Sequence, residues 1–153
     1  MAYPTFHNLI GGEWLPAVGG KTILNVNPAD HSDVVGAFPS SHGDDVAKAV
    51  AAAKKAFESW RLVPAPKRAE ILVRAGSLLK ERKEEYARQM TREMGKVRAE
   101  TRGDVQEAID EAFYVAGEGR RLFGQTTPSE LQNKFAMSVR MPVGAPDLGR
   151  PEK

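Results

Sequence analysis

The apolar residues of this chain change their spacing twice, and each change marks a different kind of element. Up to about residue 42 they fall in short runs separated by Gly and Pro. In Asn8-Leu9-Ile10-Gly11-Gly12-Glu13-Trp14-Leu15 a Gly-Gly pair divides two short stretches, which predicts a two-residue hairpin turning through positive φ. Gly19-Gly20, the Asn27-Pro28 turn and the runs Ile23 to Val26 and Val34 to Phe38 predict a second strand pair.

From about 43 to 123 the spacing is three and four, so this zone reads as helix. Ser41 and Asp44 suggest a capping box, and Val46, Ala49, Val50, Ala53, Phe57 and Trp60 then form one stripe that should be buried. Pro64 and Pro66 break the chain, and Pro66 suits a first helical turn, where its missing N–H is not needed. The next stripe, Ile71, Leu72, Ala75, Leu78, Leu79, Tyr86 and Met90, predicts one helix over 66–94, about 43 Å long, stopped by Gly95 in a left-handed cap. A third helix over 97–123 is expected to bury Val105, Ala108, Ile109, Ala112, Val115 and Ala116. It carries Gly103, Gly117 and Gly119, each costing about 1 kcal/mol relative to Ala. Either a neighbouring backbone presses against these positions or they mark an irregular helix end.

Later the period returns to two. Phe135, Met137, Val139 and Met141 alternate with Ala136, Ser138 and Arg140, which predicts a strand with one apolar face and no partner nearby in sequence. The zones are therefore strands and hairpins over 1–42, helices over 43–124, a strand segment over 125–144 and a Pro- and Gly-rich tail over 145–153. The fold class is α/β, of α+β character within these residues.

Composition narrows the picture. A chain of 153 residues with 41% hydrophobic and 27% charged residues suits a folded domain rather than a disordered chain or a membrane span. A compact chain of this size buries about 68–70% of its unfolded surface. Twenty-two Lys and Arg against 20 Asp and Glu leave +2, too weak a field to favour nucleic acid. With no basic leader or apolar run at the start, a cytoplasmic location is expected. There is no cysteine, so these residues hold no thiol nucleophile, disulfide or zinc–thiolate site.

Candidate chemistry is sparse. His7, His31 and His42 lack metal-ligand spacing, and Ser41-His42 has no nucleophile elbow around it. Gly117-Glu118-Gly119 ends a helix, whereas a dinucleotide fingerprint follows a strand and opens one. The run Lys80-Glu81-Arg82-Lys83-Glu84-Glu85 mixes signs as a solvated helix face does.

What goes further is the order of six stretches: Leu9-Ile10-Gly11-Gly12-Glu13-Trp14, Val26-Asn27-Pro28-Ala29, Ala53 to Trp60, Arg68 to Leu72, Glu93-Met94-Gly95-Lys96, and Tyr114-Val115-Ala116-Gly117. Together they resemble the N-terminal third of the aldehyde dehydrogenase superfamily over about residues 6–144. The resemblance implies strands and three helices that wrap an NAD(P)-binding domain. It also implies that Phe135 to Gly144 belongs to an oligomerisation arm, with strand partners from the far C-terminus and a second subunit. Family members oxidise an aldehyde through a cysteine thiolate, pass hydride to NAD or NADP, and release the acid with a glutamate-activated water.

Those groups all fall downstream of the matching stretch, so no catalytic or cofactor-binding residue is expected in this chain. The resemblance further implies a monovalent cation held by the carbonyl of Val26 and the carboxylate of Glu93; the alternative is that Glu93 is a solvated helix-end charge. It places Glu107 near the mouth of the substrate tunnel, with a simply exposed helix face as the alternative. The match stops at Gly144. The expectation is thus a truncated or frameshifted segment, inactive alone, whose partners are aldehyde dehydrogenase subunits, with neither nucleic acid nor membrane. The alternative is a non-catalytic interaction module that docks onto full-length subunits through the 135–141 strand.

Overall fold

The computed structural model describes residues 3–144, so the tail expected at 145–153 lies outside the described residues. Strands β1 (Asn8–Ile10) and β2 (Glu13–Leu15) pair antiparallel with Leu9 opposite Trp14. Gly11 and Gly12 join them at φ of 63° and 90°, a turn that side chains would strain. Strands β3 (Thr22–Val26) and β4 (Val34–Pro39) form a second antiparallel pair whose register shifts at Asn25/Val26. Phe6 stacks on Phe38 with ring centroids 4.6 Å apart, which fastens the N-terminal stretch to β4.

The helical zone contains four helices rather than three: α1 (Gly43–Trp60), α2 (Ala65–Glu81), α3 (Lys83–Met94) and α4 (Arg98–Glu118). The helix expected over 66–94 breaks at Arg82, where φ is −102° and ψ 19°. No Pro or Gly marks the break. Its cause is tertiary, because α2 and α3 both lie along α4: Gly76 faces Ala112 and Phe113, the Lys83 Nζ donates to Gln106 Oε1 at 2.7 Å, and Thr101 donates to the Ala87 carbonyl. The bend keeps both halves on one partner. Arg82 N–H still donates to the Leu78 carbonyl and Tyr86 N–H to the Arg82 carbonyl, so the kink sacrifices little backbone bonding.

Four further expectations are corrected. The α1 stripe is not buried: Val46 is 54% and Trp60 43% exposed, and the only buried residue of α1 is Asp45. Asp45, not Asp44, is the capping carboxylate, accepting the His42 and Val18 N–H groups at 2.9 Å each. Helix α4 ends at Glu118 and leaves Ala108 and Val115 exposed. The strand expected at 135–141 shrinks to β6 (Ala136–Met137), and it does have a sequence-near partner, β5 (Thr126–Thr127). Its alternating apolar residues all face solvent.

Elements are mixed α/β, as expected, but the core is small. Ala87, Val105 and Ile109 are buried together, with Leu79, Tyr86 and Met90 packed around them. The chain exposes 12225 Å², against about 7,600 Å² for a compact chain of its mass. It therefore hides about half of its unfolded surface rather than the expected 68–70%. The apolar faces are present, but the layer they would pack against is not among these residues. Among the described residues no helix is long and apolar enough to cross a membrane.

Candidate functional site

The corner where the β3–β4 turn meets the end of α3 holds the most elaborate polar geometry. Arg92 forks onto Asp33, Nε to Oδ2 at 2.7 Å and Nη2 to Oδ1 at 2.6 Å, and Nη2 also donates to the Val34 carbonyl at 2.9 Å. Asn27 Nδ2 donates to the same carboxylate at 3.2 Å. Hydrogen bonding from Arg92, and then from Asn27, holds the Asp33 carboxyl down at about 2. Gly95 closes α3 in the left-handed region at φ 72°, where a Cβ would stand 3.0 Å from Pro28 Cγ. The helix end can thus sit directly on the turn.

Val26 and Glu93 fall at this corner. Asn25 Nδ2 donates to Glu93 Oε1 at 3.1 Å, which ties the Glu93 side chain to the residue before Val26. Among the described residues no group of three or more His, Cys, Asp and Glu could hold a metal ion. Arg92 and Asp33, which do most of the work here, escape sequence reasoning because pairing across 59 positions has no period; the motif stretches on either side were the available signal.

Glu107 lies exposed on α4 along a shallow open cleft with Asp104, Asp110, Glu111 and Tyr114. Lys96 Nζ reaches Asp104 Oδ2 at 2.6 Å, and this contact raises the Lys96 ammonium above its ordinary value. Elsewhere, Glu84 bridges α3 to α4 by accepting from Arg98 and Arg102, and Arg102 first, then Arg98, holds it at about 2. The Gly117-Glu118-Gly119 segment serves packing. Arg121 folds back onto Glu118 at 3.0 and 2.5 Å, and a Cβ on Gly119 would collide with Ala69 Cβ and stand 2.9 Å from the Ala65 carbonyl. His42 opens α1, while His7 and His31 lie exposed in loops. Ser41 Oγ accepts from Asn8 Nδ2 at 2.8 Å, and among the described residues it makes no hydrogen bond to an imidazole.

The last feature is a groove of about 350 Å³ between α2 and α4, walled by Trp60, Leu72, Val115 and Leu122, with Arg68 in its lining. Its walls are almost wholly apolar.

The family model described as the aldehyde dehydrogenase family matches residues 14–146. The chain is 36% identical over 140 residues to the alpha-ketoglutaric semialdehyde dehydrogenase of Bacillus subtilis, covering 92% of this chain and 29% of that protein. It is 37% identical over 136 residues to the NADP(+) succinate-semialdehyde dehydrogenase of Escherichia coli, covering 89% and 28%. Among solved structures it is similar to an NADP dependent enzyme of E. coli, with a TM-score of 0.82 at 36% identity over 88% of this chain and 28% of that one. An NAD-dependent aldehyde dehydrogenase from Sinorhizobium meliloti gives 0.81 at 34% over 88% and 27%. The chain spans less than a third of the length of the curated relatives it matches.

Proposed function

The chain belongs to the aldehyde dehydrogenase family, and from that membership we propose that it forms the N-terminal wrapping segment of an enzyme that oxidises an aldehyde to a carboxylic acid with NAD+ or NADP+. The observation that carries this reading is the superposition at TM-score 0.82 on 28% of a dehydrogenase-length chain, by residues that contain no cysteine. The thiolate that would attack the aldehyde carbon then comes from chain outside these residues, as does the base that activates water. The relatives' names share an aldehyde and differ in the rest of the substrate and in the nicotinamide cofactor, so the proposal is made at the level of aldehyde and NAD(P)+.

In this reading the Val26 and Glu93 corner seats a monovalent cation that stiffens the strand pair against α3, and Glu107 lines the approach to the reaction chamber. Other aldehyde dehydrogenase subunits are the partners. The exposed apolar run around β6 favours a second reading, docking onto complete subunits by strand addition.

The test is a chimera in which residues 1–144 replace the matching segment of the B. subtilis relative. Aldehyde-dependent formation of NADH or NADPH by the chimera, and none by the 153-residue chain alone, is the expected result. Turnover by the chain alone overturns the proposal. An inert chimera, together with co-purification of this chain with an intact dehydrogenase, selects the docking reading instead.

A further inference from the structure

We draw no further inference here: the strongest candidate, the groove between α2 and α4 walled by Trp60, Leu72, Val115 and Leu122, is an open apolar face, and nothing in the structure shows what covers it.

Discussion

Thr101 offers the sharpest test of how α3 is held on α4. It is the largest fully buried side chain in the molecule among the described residues, and it is polar. Its Oγ1 lies 2.8 Å from Thr91 Oγ1, 3.0 Å from the Ala87 carbonyl and 3.2 Å from the Arg98 carbonyl. With one hydroxyl hydrogen it donates to a single oxygen at a time and accepts from Thr91, so two hydroxyls close a small network across the helix pair. Thr101→Val keeps the volume and deletes the network, leaving the half-buried Thr91 hydroxyl and the Ala87 carbonyl without this partner. The cost should be about 1–2 kcal/mol. Thr91→Val alone should cost about 1 kcal/mol, since Thr101 then keeps its bond to Ala87. The double variant should cost less than the two singles together, by about 1 kcal/mol, because the second deletion removes a group the first had already orphaned. Urea unfolding followed by far-ultraviolet circular dichroism measures all four states. Additive single effects, within about 0.5 kcal/mol, would falsify the view that the hydroxyl pair couples α3 to α4.

The two glycines of the α4 region should respond with opposite signs. A Cβ at Gly103 meets nothing within 4 Å, so Gly103→Ala should stabilise by about 1 kcal/mol, whereas Gly119→Ala would collide with Ala69 and should destabilise by about 1–3 kcal/mol. Acid should loosen the fold through Asp33 and Glu84, both held at about 2 in the folded chain against ordinary values of 3.8 and 4.5. Because the folded values are the lower ones, their contribution is complete above the ordinary values and disappears as pH falls towards 2; Asp33→Asn with Glu84→Gln should flatten the denaturation midpoint across that window, and an unchanged acid limb would count against these ion pairs.

What was legible in the sequence was local. The Gly11-Gly12 hairpin, the β3–β4 pair, the Pro66 helix start and the Gly95 cap are each fixed by backbone preferences of one or two residues, and all are present. The bend at Arg82 was not legible because it arises from α2 and α3 following one partner, which leaves no residue signature. Periodicity placed an apolar stripe on α1 correctly but assigned it a buried face, since a period says that a face wants cover and not that the same chain supplies it. The partner of β6 was missed because Thr126–Thr127 is too short to show a period. At the candidate corner, Asn25 bonds to Glu93 beside Val26, while the Arg92–Asp33 pair is invisible to any pattern of spacing.

The division of labour among these contacts explains the shape of the whole. Beside its small apolar core, the chain joins several distant parts with polar groups: Arg92 on Asp33 ties the strand pair to α3, Asp45 on the Val18 N–H ties the loop after the first hairpin to α1, and Glu84 ties α3 to α4. Such bonds are directional and set angles, but each adds little net stability. The apolar groups that could add more are turned outward, on α1, on the α2–α4 groove and around β6. Under the proposed function, a chain that leaves its apolar faces open in this way presents a preset surface to the rest of a dehydrogenase polypeptide. The curated relatives are each more than three times the length of the matched segment, so under the proposed function the rest of such a polypeptide is a body of sufficient size to cover those faces at once.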